Sequence, residues 1–476
     1  MSARLKSLSL KAMPFADAAS AELPMGQLLR LSLFQVSVGM ASVLLLGTLN
    51  RVMIVELSVP AMIVALMIAL PVLIAPFRAL LGFRSDTHKS AIGWKRIPYL
   101  WFGSLWQFGG LAVMPFALLV LGGDVVHDIP FAGEVLAALA FLMTGLGLHM
   151  TQTAGLALAS DRATDETRPR VVALLYVMFL VGMGVSAVIM GILLTDFTPL
   201  KLIRVVQGAA VVGIGLTLIA LWKQEHVRPM SRKERAEPRP AFAEAWRDFM
   251  AGGRAGRLLV CVFVGTMAFN MQDVLLEPYG GEILGLSVSA TTLLTALWAA
   301  GALLGFALAG RQLSKGSNPY RLAGAGIVAG IWAFSLVIFA APMHSNLLFY
   351  AGAGIIGFGG GLFAVATLTA AMAMPATGTA GRGLALGAWG AAQATAAGLS
   401  IALGGGLRDW VGHAATSGRL GDALNSPATG YSFVYHSEIG LLFITLVILG
   451  PLVRQSGSFT STKTSQRPMG LADFPT

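Results

Sequence analysis

The chain has 476 residues, 55% of them hydrophobic and only 12% charged, with a formal net charge of +10 and a mean hydropathy of +0.73. Soluble globular chains are about a quarter charged, so this composition excludes an ordinary soluble domain and predicts an all-α polytopic membrane protein. Its single cysteine, Cys261, excludes an intramolecular disulfide and reads as a small core residue in an apolar run.

In chain order, residues 1–27 place charges and prolines ahead of any apolar run, without a signal-peptide pattern, and are expected to be a cytoplasmic N-terminal segment. Apolar runs of about 20 residues, the length that crosses about 30 Å of hydrocarbon as a helix, then begin. They fall at 28–49, 59–80, 99–121, 135–159, 171–194 and 200–222, and again at 258–276, 290–308, 322–341, 347–374, 384–407 and 433–453. The expectation is twelve transmembrane helices in two six-helix bundles, 28–222 and 258–453. Between them, 223–257 carries Pro229, Pro238 and Pro240 among nine basic residues and reads as a cytoplasmic linker. The Ser-, Thr- and Pro-rich stretch 454–476 reads as a disordered cytoplasmic tail.

Two phrases recur. Leu80-Leu81-Gly82-Phe83, leading to Pro98-Tyr99, is echoed by Leu303-Leu304-Gly305-Phe306, leading to Pro319-Tyr320. Leu194-Thr195-Asp196-Phe197 is echoed 213 residues later by Leu407-Arg408-Asp409-Trp410. Such echoes predict a duplicated bundle. Twelve spans place 28 of the 33 Lys and Arg residues on the side of both termini, so the positive-inside rule predicts cytoplasmic termini. The net charge then faces anionic lipid, and no nucleic-acid partner is expected.

Two parallel-repeat halves joined by a long loop resemble the major facilitator architecture. Gly82, Asp86, Lys95 and Arg96 resemble its loop signature: glycine for close helix approach, Asp86 to cap a helical turn or to pair with Arg84, Lys89 or Lys95. A solvated basic cluster is the plainer alternative. Intramembrane polar groups mark ion or substrate paths, and the candidates are Asn50, Arg51, Glu56, Asn270, Gln272, Asp273 and Glu277, a thin set for proton coupling. Asp273 and Glu277 are spaced i, i+4, which would let them share a helix face and pair with Arg51 or Arg204. His149, with Gln152 one turn on and small glycines before it, is a candidate pigment ligand: a neutral imidazole facing an apolar cavity suits the metal of a flat macrocycle. The alternative is a packing histidine bonded to Gln152 or Thr153. Gly352, Gly354 and Gly357 match a dinucleotide pattern literally, yet no strand precedes them and they read as helix-packing glycines. No catalytic constellation or metal cluster is legible, and no enzyme activity is expected.

Long segments carry a resemblance: SLFQVSVGMASVLLLGTLNRVMIVEL from Ser32, APFRALLGFRSDTHKSAIGWKRIPYLWFG from Ala75, QTAGLALASD from Gln152, RPRVVALLYVM from Arg168 and NMQDVLLEPYGGEILGLSV from Asn270. They resemble the PucC/LhaA family, the bacteriochlorophyll delivery branch of the facilitator superfamily, and the chain is more similar to the LhaA type. The resemblance implies a chaperone of light-harvesting complex assembly in purple bacteria, holding bacteriochlorophyll, antenna polypeptides or both in the inner, intracytoplasmic membrane. It implies antenna polypeptides as partners, with bacteriochlorophyll synthesis enzymes and the reaction centre as further ones, and the core antenna as the product. The alternatives are a transporter or flippase of a hydrophobic tetrapyrrole or isoprenoid, a protein-only scaffold, and service to the peripheral antenna.

Overall fold

The computed structural model describes residues 18–20, 23–49, 53, 61–123, 131–194, 198–231, 233, 236, 238, 240–251, 253–286, 288–374 and 381–457, and every regular element among them is helical. In order these are α1 Met25–Val43, continued by a π turn at Leu44–Thr48; α2 Ala61–Ile74; α3 Arg78–Asp86; α4 Ile97–Leu121; α5 Ala132–Arg162; α6 Arg168–Leu193; and α7 Pro199–Leu221. Then come α8 Phe242–Ala251, α9 Arg254–Asn270, α10 Leu276–Glu282, α11 Val288–Ser314, α12 Pro319–Ala340, α13 Asn346–Met372, α14 Arg382–Thr416 and α15 Ala428–Gly457.

Local chemistry explains the starts. Pro98, Pro169, Pro199 and Pro319 occupy the first turns of α4, α6, α7 and α12, where a missing N–H costs nothing. Thr198 Oγ1 accepts from the Lys201 N–H at 3.2 Å and Asn318 Oδ1 from the Tyr320 N–H at 2.9 Å, capping α7 and α12.

Among the described residues, ten helices are long and apolar enough to cross a membrane. The two expected spans outside that set are 59–80, part of which lies outside the described residues, and 384–407, which falls in the 35-residue α14. Glycine and alanine dominate α14, which lowers its hydropathy but suits its place, packed against α3, α5, α9 and α15.

Elements up to 221 pack among themselves, with α1 against α5, α6 and α7, and α4 against α5 and α7. From 254 onward, α9 lies on α14 and α15, α12 on α13 and α15, and α11 on α13. The two groups meet along two seams, α3 on α14 and α6 on α11. At the first, a Cβ on Gly82 would lie 1.8 Å from the Gly383 carbonyl oxygen, so only glycine permits this crossing.

The stretch 223–257 is more than a spacer. Its α8 stacks Phe242, Trp246 and Phe249 along one face, and Phe242 meets Phe83 of α3 edge-on at 5.5 Å. The aromatic stripe covers the apolar cluster of Ala79, Phe83, Leu384 and Ala388 over the α3/α14 seam. The following helix begins at Arg254, four residues before the expected span.

Candidate functional site

The loop signature forms a clasp, with partners other than those expected. Asp86, at the end of α3, bonds the Arg96 guanidinium, and its carboxylate accepts from the Gly383 and Leu384 N–H groups at 2.9 and 2.8 Å. It therefore caps α14, nearly 300 residues away in sequence, where the orphan amides and helix dipole favour an anion. Arg96 is bound by a second carboxylate, Asp161 Oδ2, at 3.0 Å, and by Ser85 Oγ at 2.5 Å. Burial opposes the charge on Arg96, but Asp161 and Asp86 more than offset this and raise its pKa above the ordinary arginine value. Arg382 reaches the other oxygen of Asp161 at 4.0 Å, tying α14 in again. Lys95 contributes its backbone: Glu225, from the linker, accepts from the Lys95, Arg96 and Ile97 N–H groups at 3.2, 3.0 and 3.1 Å and caps α4. Asp161 and Glu225 were not singled out from sequence, although Asp161 ends one of the family-like segments.

A second cluster lies deeper. Arg78, which the topology count assigns to the cytoplasmic loop, is 2% exposed. Its Nε donates to Thr153 Oγ1 at 3.0 Å and one Nη to the Gly390 carbonyl at 3.3 Å, joining α3 to α5 and α14. His149 stands beside it. The expected partners Gln152 and Thr153 do not hold the imidazole; its Nε2 is 3.0 Å from the Pro71 carbonyl oxygen, to which it donates, pinning α5 to α2. Its Nδ1 is buried without a partner. Gln152 is half-buried.

The third cluster corrects the α9 reading. The helix stops at Asn270, a 3-10 turn spans Met271–Val274, and α10 starts at Leu276, so Asp273 and Glu277 do not share a continuous α-helical face. Asp273 accepts from the Gln272 side chain rather than from Arg204. The amide released by the break, Gln272 N–H, donates to Glu438 of α15 at 2.7 Å. Glu438 is fully buried and was missed, although a carboxylate inside an apolar run is itself a signal. Asn50, Arg51 and Glu56 lie outside the described residues.

A family profile described as PUCC protein matches residues 48–457. A Rhodobacter capsulatus protein named "Uncharacterized protein in puhA-bchM intergenic region" is 62% identical over 471 residues, covering 99% of this chain and 98% of its own. Protein PucC of the same organism is 50% identical over 455 residues, covering 94% and 96%. Among solved structures, a bacterial homologue of the iron transporter ferroportin in an outward-facing state superimposes with a TM-score of 0.67 at 14% identity, covering 91% of this chain and 99% of its own. That likeness shows a transporter-type multi-pass fold.

Proposed function

Since the chain belongs to the PucC family, we propose that it is a membrane assembly factor for the light-harvesting antenna of purple bacteria, serving the core antenna around the reaction centre. The observation that carries this reading is the family match sustained along nearly the whole chain. Within one organism, moreover, it is stronger toward the puhA-bchM protein than toward the one named PucC, which supports a branch distinct from the peripheral-antenna type. We assign it no reaction. The distribution of basic residues supports cytoplasmic termini in the inner, intracytoplasmic membrane.

The molecules handled are antenna polypeptides, bacteriochlorophyll or both, with pigment-synthesis enzymes and the reaction centre as neighbours. His149 does not fit as the pigment ligand in this conformation. The residue is 7% exposed and its Nε2 is committed to Pro71, which leaves the imidazole no open side for a macrocycle. Pigment contact on the lipid-facing flanks of the bundle, where Trp101, Phe102, Trp106 and Phe116 of α4 are exposed, suits a large apolar ring better.

Purification in mild detergent from a phototrophic host tests the proposal. Antenna polypeptides recovered with the chain, and bacteriochlorin absorbance in the same fraction, are the expected result. Solute flux in proteoliposomes with neither polypeptide nor pigment recovered would replace the assembly factor by a transporter or flippase.

A further inference from the structure

A guanidinium is costly to bury in an apolar span, and where it occurs there it pairs with an acid or lies on a ligand path. Arg96 follows the first rule, with two carboxylates. Arg78 does not. Its two hydrogen bonds go to a hydroxyl and a backbone carbonyl, its Nη2 meets no acceptor, and among the described residues no carboxylate forms an ion pair with it. The groups whose charge it senses or modifies are Tyr176 of α6 and His149 of α5, neither of which supplies a negative charge. The α3/α14 seam therefore encloses one uncompensated positive charge.

Two further polar side chains stand beside it. Tyr176 hydrogen-bonds Gln393 of α14, and both side chains are half-buried where Arg78 is closed off. Apolar and backbone groups adjoin these side chains: the Tyr176 ring lies 5.0 Å from that of Phe306 on α11, and Gly390 of α14 presents only backbone to Arg78. We propose that Arg78 anchors a binding site for an apolar molecule bearing a single carboxylate, its head on the free Nη2 edge and its body along Tyr176 and Phe306. One buried cation asks for one anion, and the Tyr176–Phe306 aromatic surface asks for an apolar body. The Nη1 bond to Gly390, at 3.3 Å the longer of the two, is the one an entering carboxylate would replace. The site stands independently of the antenna reading.

The test compares acids with their esters on the detergent-solubilised full chain, following tryptophan fluorescence at neutral pH. Pheophorbide a is titrated against its methyl ester, and oleate against methyl oleate. In at least one series the acid should bind about tenfold or more tighter, the worth of a charge-assisted hydrogen bond. A preference in the pheophorbide series identifies a tetrapyrrole acid, and one in the oleate series a lipid acid. Arg78→Gln should abolish the preference while leaving ester binding in place, and Thr153→Val should keep it. Equal binding of acid and ester in both series would overturn the proposal, as would a preference that survives in Arg78→Gln. The unsubstituted protein decides the first point, so a poorly folding Arg78 variant does not blunt the test.

Discussion

The two seams that join the early and late helices carry the same phrase and opposite chemistry. At α3/α14, Gly82 brings two backbones into contact and Asp86, four residues on, caps α14 and holds Arg96. At α6/α11 the echoed phrase supplies Gly305 and Phe306, but four residues past the glycine stands Ala309, fully buried. Phe306 crosses to Tyr176, whereas its counterpart Phe83 turns to the linker helix α8. Gly305 also permits a close approach, but toward α13, where a Cβ would lie 2.5 Å from the Phe358 carbonyl oxygen. The echoed phrase thus carries the steric device at both seams, while the Asp86–Arg96 clasp is built at one. The α6/α11 seam can shift without stranding the clasp ions; the α3/α14 seam cannot open without unpairing buried groups.

The largest contrast should come from sterics. Gly82→Val meets backbone at 1.8 Å and is expected to exceed the usual overpacking cost of about 1–3 kcal/mol, leaving little monodisperse protein in gel filtration. Gly310→Ala, on α11, meets the Ala173 side chain at 3.0 Å and should cost less than about 1 kcal/mol. Equal yields of the two variants would remove the distinction between the seams.

Next comes the charge. Arg96→Met strands the Asp86 and Asp161 carboxylates and should cost about 3 kcal/mol, the low end for a broken buried pair because Asp161 is partly exposed; a thermal-shift assay reads this as a marked loss of melting temperature. Asp86→Asn keeps one acceptor for the α14 amides and should cost about 1–2 kcal/mol. If Asp86→Asn proved the more damaging of the two, the cap would outweigh the ion pair.

The smallest effect belongs to the linker. Trp246→Ala uncovers the cluster above the α3/α14 seam and should cost about 1 kcal/mol or less, since the indole is only half-buried, while speeding protease cleavage within 223–257. Unchanged cleavage kinetics would mean that α8 is held by something other than its aromatic face.

These contrasts separate what was legible in the sequence from what was not. Long apolar runs announce helices because hydrocarbon leaves the backbone no other choice, and the glycine phrase marked a close crossing. Partners were another matter. Asp86 and Gly383 are 297 residues apart, and nothing in a local pattern selects that pairing over a nearby lysine. Arg78 groups with the basic residues of the following loop in the charge count although it lies near the end of the 59–80 run, and the 3-10 turn at Ala75–Phe77, where Pro76 supplies no N–H, passes into α3 and carries the helix on to Asp86. The Asp273 and Glu277 spacing assumed unbroken α geometry, which the turn at Met271–Val274 removes. Glu438 answers that break from a different helix, a relation visible only in three dimensions.

The most direct test of the central claim is the near-infrared absorbance of membranes from a phototrophic host lacking this gene. The account predicts a strong fall in core antenna absorbance with reaction centres still present, restored by the intact gene and only weakly by Arg96→Met. A fall confined to the peripheral antenna, or no change in either antenna, would contradict it.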